Sequence, residues 1–117
     1  MQDLVKLCKA LSDENRIRML KLLLERDVSN CEMAMVFPNL SQSQISRDLS
    51  MLMNVGCLER WREGRCVVYT VNKAKCSQFV QALVKVLAES FNDDEVTYRD
   101  RENLLKAIDA GVREQAK

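Results

Sequence analysis

Apolar residues recur at helical spacing along most of this chain and alternate with polar ones in one place, between Cys57 and Val71. Leu4, Leu7, Cys8 and Leu11 form the stripe of a short first helix. Ile17, Leu20, Leu23 and Leu24 form that of a second, from Asp13 to about Arg26, with Ser12 ending one helix and capping the next. Arg16 and Arg18 fall off that stripe and read as solvated charges. The segment V-S-N-C-E-M-A-M-V-F has Ser29 and Glu32 at capping-box spacing and stops at Pro38, which predicts a short third helix. From Leu40 to Asn54 the same logic returns. Ser41 and Gln44 are spaced for a second capping box, Ile45, Leu49 and Leu52 make the buried stripe, and Gly56 supplies a left-handed residue after the helix. Two helices across a turn this tight form a helix-turn-helix.

The alternating stretch predicts two strands, with Glu63-Gly64 at the turn, Arg62 near Arg65 and Trp61 near Cys66. A long helix is expected from about Ala74 to Phe91. Its face of Phe79, Val80, Leu83, Val84, Val86, Leu87 and Phe91 is too wide for one small domain to cover, so a partner helix is expected and, with the equally apolar first helix, a two-fold homodimer. Leu104, Leu105, Ile108 and Val112 predict one more amphipathic helix in a highly charged segment. The fold class is therefore mainly α with a two-stranded β-hairpin wing, a winged helix-turn-helix dimerised through its terminal helices. Residues 1–91 form that domain and 92–117 a charged, partly helical extension.

The polar face of the Ser41 helix carries the candidate chemistry. Gln42, Ser43, Gln44, Ser46 and Arg47 crowd its first turns, where a merely solvated face would be richer in Lys and Glu. Short hydrogen-bonding side chains at a helix start suit phosphates and base edges in a major groove. Arginines facing one another across a hairpin call for an anion beside them, and a phosphate backbone is the obvious one.

Composition narrows this further. A chain of 117 residues has the length of one domain, and its net charge of +1 leaves any nucleic-acid surface to local arrangement. That arrangement exists, because the stretch from Ser41 to Lys73 leans basic and the tail beyond Asn92 leans acidic. No apolar run approaches the roughly 20 residues of a membrane span, and M-Q-D-L-V-K lacks the build of a signal peptide, so a cytoplasmic protein without membrane contact is expected. The five cysteines are odd in number and widely spaced, as reduced thiols are. Histidine is absent, which removes imidazole metal ligands and histidine-based nucleophile activation. With no C-x-x-C, no Gly-rich phosphate loop and no carboxylate pair beside a nucleophile, an enzyme is not expected.

Four stretches together resemble the ArsR/SmtB family of bacterial winged-helix repressors. L-S-D-E-N-R-I-R-M-L is similar to the family's L-x-D-x-x-R-L-x-I-L opening, and L-S-Q-S-Q-I-S-R-D-L-S-M-L to its recognition helix L-S-Q-S-x-V-S-R-H-L-x-x-L. V-G-C-L-E-R-W-R-E-G-R-C-V-V-Y aligns without a gap to the A-G-L-V-x-x-R-R-E-G-R-x-V-Y-Y wing, and D-V-S-N-C-E-M falls on the thiol motif E-L-C-V-C-D-L. The likeness covers about Leu7 to Val71. It implies a homodimer on an inverted-repeat operator in double-stranded DNA, blocking a promoter until an inducer binds. By position Gln42, Ser43, Gln44, Ser46 and Arg47 would face the groove, and Arg62 and Arg65 would flank it.

The departures bear on mechanism. Asp48 stands where the family usually has His, an acid beside a phosphate-facing surface, and Trp61 occupies a usual Arg place. These two, with the near-neutral charge, motivate the alternative of a winged-helix protein-protein interaction module without DNA binding. Of the thiol motif only Cys31 remains, since Ser29 and Ala34 stand at its other positions. Trivalent arsenic wants two or three sulfurs, so an arsenical or soft divalent metal site would recruit Cys31 with Cys8, Cys66 or Cys76. The zinc site that some relatives carry on the long helix is impossible without histidine. Other relatives sense persulfide or oxidants through two cysteines, and that likeness names Cys31 and Cys76. Cys57, at a usual Leu position, reads as a small hydrophobe, and the six methionines as core filler.

Overall fold

In the computed structural model, which describes residues 1–116, the stripes become helices α1 (Gln2–Ala10), α2 (Glu14–Leu23), α3 (Asn30–Val36), α4 (Gln42–Met53), α5 (Gln78–Glu89), α6 (Glu95–Asp109) and α7 (Val112–Gln115). Strands β1 (Val28–Ser29), β2 (Leu58–Glu63) and β3 (Cys66–Val71) form an antiparallel sheet in the order β1-β3-β2. The wing thus gains a third, two-residue strand, in which Ser29 pairs with Val68 just before its own side chain caps α3. The core joins Met19, Leu20, Leu22 and Leu23 of α2 to Met33 and Val36 of α3 and Ile45, Leu49 and Leu52 of α4, all essentially buried. Truncating one of these, such as Leu49→Ala, costs about 2–5 kcal/mol. A smaller cluster of Leu7, Cys57, Cys76, Val80 and Val84 packs α5 onto α1.

Several local expectations shift. Asp13, not Ser12, caps α2, its carboxylate accepting from the Arg16 backbone N–H at 3.1 Å, while the Ser12 hydroxyl turns back to the Lys9 carbonyl. The long helix starts later than Ala74. Lys73–Lys75 is a 3₁₀ turn and Cys76 is extended, so Cys76 precedes α5 rather than lying on it. The hairpin turn is Gly64-Arg65, with Glu63 opposite Cys66, Arg62 opposite Val67 and Trp61 opposite Val68. Gly64 takes the positive φ (62°) that a tight hairpin needs at its first central residue. Arg65 therefore sits at the tip instead of facing Arg62, and the repulsion expected across the strands does not arise.

Arg16 and Arg18 are not solvated either. The Arg18 guanidinium forks onto both oxygens of Asp100 on α6 at 2.8 and 2.7 Å and lies 4.6 Å over the Phe37 ring. Its pKa is raised chiefly by the Asp100 hydrogen bond. Lys21, buried on α2, donates to the carbonyls of Leu87 and Ala88 and to Asn92 Oδ1 at 3.1, 2.8 and 2.7 Å, closing the C-terminal end of α5. Burial lowers its pKa, against the opposing charge of Glu25. With Leu104 and Ala107 buried against the rest, α6 is part of the core rather than an appendage. No helix is long and apolar enough to cross a membrane among the described residues.

Candidate nucleic-acid interface and thiol pair

The Ser41 hydroxyl accepts from the Gln44 backbone N–H at 3.1 Å and fixes the start of α4. The reciprocal half of the expected capping box is missing, because the Gln44 amide donates instead to the Asp48 carboxylate at 3.2 Å. Asp48 is 2% exposed and pairs with Arg16 Nη1 at 3.1 Å. The acid expected beside a phosphate-facing surface is thus turned inward, and its charge is matched there. Arg16 also donates to the Ala10 and Lys9 carbonyls, so one guanidinium ties the end of α1 to the recognition helix.

Gln42, Ser43, Ser46 and Arg47 are exposed, while Gln44 is half-buried and its carbonyl accepts from Arg47 Nη2 at 2.8 Å. On the wing Arg60, Trp61, Arg62 and Arg65 are all exposed, and the Trp61 indole N–H donates to Glu63 at 2.9 Å. Gln42, Ser43, Ser46 and Arg65 border one open cleft of about 860 Å³, together with Cys31 and Gln115. Helix tip and wing turn therefore share a concave surface. The C-terminal segment lines it too, through Val112, Gln115 and Ala116, and the Ala116 carbonyl accepts from the Arg65 backbone N–H at 3.0 Å.

Arg113 on α7 secures that segment. Its guanidinium reaches Glu32 on α3 at 2.8 Å, Asp27 at 3.4 Å and Glu63 on β2 at 3.5 Å. Burial works against its charge, and the hydrogen bond to Glu32 with the charges of Glu32 and Asp27 more than offsets this, so its pKa is raised. Glu32 also accepts from the Ser29 backbone N–H at 2.8 Å, which completes the α3 capping box as the sequence predicts.

The cysteines do not form the pair of Cys31 and Cys76 that the likeness to persulfide and oxidant sensors names. Cys31 is disulfide-bonded to Cys66, with their Cα atoms 5.8 Å apart, while Cys76 lies in the same buried cluster as Cys57 and its thiol donates to the Asn72 carbonyl at 3.7 Å. Cys31 and Cys76 are thus not partners, and the expectation that all thiols are free fails at one pair. Burial, then the Cys76 contact, pushes the Cys57 thiol up to about 12, as befits a small hydrophobe. Cys8 is exposed on α1 and borders an apolar cleft of about 630 Å³ with Leu4, Phe79 and Val86. Among the described residues no group of three or more Cys, Asp or Glu is placed to hold a metal ion. The sequence names Cys66 among three possible partners of Cys31, as a ligand of a shared metal ion, and the structure joins the two as a disulfide instead.

No family model matches the chain. It is 32% identical over 85 residues to the HTH-type transcriptional regulator Rv0081 of Mycobacterium tuberculosis, covering 73% of this chain and 75% of that protein. A homolog of the cadmium resistance transcriptional regulatory protein CadC from Staphylococcus aureus is 31% identical over 80 residues, covering 68% of this chain and 65% of that one. Among solved structures, reduced HlyU from Vibrio cholerae superposes with a TM-score of 0.62 at 30% identity, covering 78% of this chain and 90% of that one. Rv0081 superposes with a TM-score of 0.54 at 32% identity, covering 73% and 85%. With an exposed recognition helix, a wing carrying arginines at its tip and these relatives, the chain belongs to the winged-helix HTH-type transcriptional regulators.

Proposed function

We propose that the chain is a sequence-specific, dimeric repressor of the ArsR/SmtB kind that a thiol-reactive inducer releases from its promoter. The observation that carries this reading is the shared cleft, in which Gln42, Ser43 and Ser46 of α4 and Arg65 of the wing border one surface. Polar side chains at a helix tip read base edges, and flanking arginines supply the phosphate contacts that fix register. A second copy would cover the apolar face of α1 and α5, where Leu4, Val5, Phe79 and Val86 stand exposed.

For the inducer, two adjacent sulfurs with no third metal-ligating group beside them among the described residues favour oxidant or persulfide chemistry over a three-coordinate arsenic or soft-metal site within one subunit. Of the three features that motivate the interaction-module alternative, Asp48 no longer supports it, because its carboxylate is buried against Arg16. One relative is named for cadmium resistance and the Vibrio cholerae one is named a transcriptional activator, so the sign of regulation is an outcome to measure.

The test is anisotropy with the native promoter and a scrambled duplex at several salt concentrations, alongside sedimentation of the free protein and a promoter-reporter strain. Preference for the promoter, a steep salt dependence, a two-subunit species and a reporter that rises on deletion are expected. Equal affinity for both duplexes at every salt concentration would refute the reading. Capture of a protein partner that survives alanine at Gln44 and Arg47 would favour the interaction module.

A further inference from the structure

We propose that Cys31 and Cys66 are a reversible dithiol–disulfide couple that locks the tip of the wing onto α3, and that the locked form binds the operator weakly. This rests on the DNA-binding reading above and adds to it the pair, the chemistry and the moving part.

The couple joins elements that bear directly on the interface. Cys31 lies in the first turn of α3 and lines the cleft bordered by Gln42, Ser43 and Ser46. Cys66 opens β3, directly after Arg65 at the turn. A bond between them fixes the position of Arg65 relative to the recognition helix. In the bonded state Arg65 is also held to the C-terminal segment through the Ala116 carbonyl, and that segment lines the same cleft. Wing tip and tail then stand as one body beside the helix tip that a duplex must approach.

The bond is not what builds this junction. Ser29 pairs with Val68, Asn30 Oδ1 accepts from the Val67 backbone N–H at 2.9 Å, and Arg113 spans Glu32 and Glu63. Each of these ties is non-covalent and opens in local fluctuations, whereas a disulfide does not. Breaking it leaves the fold in place and frees the wing to settle on a phosphate backbone.

The chemistry needs only a hydroperoxide of low molecular weight. Cys31 is half-exposed in the open cleft and Cys66 is fully buried, so Cys31 is the sulfur an oxidant meets first. Its thiolate attacks the peroxide, the O–O bond breaks, and the sulfenic acid forms as the alkoxide leaves and takes a proton. The Cys66 sulfur then attacks the Cys31 sulfur, expelling hydroxide, which takes the Cys66 proton and leaves as water. Two thiols and one hydroperoxide thus give one disulfide, one alcohol and one water. A dithiol reductant reverses the bond by exchange and is itself oxidised.

The test uses the full chain, reduced with dithiothreitol or oxidised with hydrogen peroxide, with the bridge located by peptide mass mapping. Oxidation should weaken binding to the native promoter about tenfold, within the usual range of coupling between two sites in a domain. It should also slow amide hydrogen exchange across residues 64–68, a readout independent of DNA. Cys66→Ser should bind as the reduced protein does, neither Cys66→Ser nor Cys31→Ser should lose affinity on adding peroxide, and Cys8→Ser should keep the full response. Unchanged wing exchange on forming the mapped bridge would overturn the proposal, as would oxidised protein that binds the promoter as tightly as reduced protein or a Cys31→Ser variant still released by peroxide. If exchange slows on oxidation and neither form prefers the promoter, the lock stands and the repressor reading fails.

Discussion

Arg16 on α2 meets Asp48 on α4 at 3.1 Å across 32 residues of sequence, and the aspartate is 2% exposed. The acid of the recognition helix is therefore a docking residue. Arg16→Ala leaves a buried carboxylate with the Gln44 amide as its remaining partner among the described residues, and the loss of one partner of a buried pair costs about 3 kcal/mol. A urea titration should show the midpoint falling accordingly, and Asp48→Asn in the Arg16→Ala background should recover part of it. A change within experimental error for Arg16→Ala would mean the pair contributes nothing.

Arg113→Gln removes the cation that α7 lends to Glu32, Asp27 and Glu63. Glu32 is 3% exposed and retains the Ser29 backbone N–H, so the loss is smaller than for an orphaned charge, about 1–2 kcal/mol. Limited proteolysis should cut the C-terminal segment faster in this variant. Equal cutting of the two proteins would show that Arg113 does not hold α7 down.

On DNA, the arginines separate by role. Arg62→Ala or Arg65→Ala should lower affinity for promoter and random duplex alike and each reduce the salt slope by about one. Arg47→Ala should narrow the gap between the two duplexes by about 1–3 kcal/mol, as the loss of a base contact does. Titrations at four salt concentrations distinguish these patterns, and a uniform loss for Arg47→Ala would assign it to the backbone instead.

Burial lifts the Cys57 thiol from its ordinary 9.0 to about 12. At pH 8 it should resist iodoacetamide while exposed Cys8 is alkylated, as mass spectrometry of the native protein would show. The unfolded chain ionises this thiol first. Its contribution to stability is therefore intact below about 9 and is lost as pH rises from there to about 12, so thermal midpoints should fall across that window. Cys57→Ala should flatten this part of the profile, and rapid alkylation of Cys57 in native protein at pH 8 would contradict the assignment.

Much of the fold is legible in the chain because its signals are local. The stripe of Ile45, Leu49 and Leu52, the cap at Ser41, the box of Ser29 and Glu32 and the alternation after Cys57 each span a few residues, and each appears as an element close to where the pattern puts it. The exposed polar tip of α4 was legible for the same reason, since a polar tip opposite an apolar stripe is a property of one helix. The hairpin turn came out one residue late because Glu63-Gly64 and Gly64-Arg65 both place a glycine in the turn, and the strand partners choose between them.

The sequence by itself determined the helices, the helix-turn-helix, the wing and the absence of histidine chemistry, all of which follow from near neighbours and composition. Only the tertiary structure decided that Cys31 meets Cys66 across 35 residues, that Arg18 meets Asp100 across 82, and that Asp48 faces inward. Helical or strand periodicity tells which face of an element is buried but not which element covers it. A charge or a thiol acquires its partner, and with it its role, only when those faces dock.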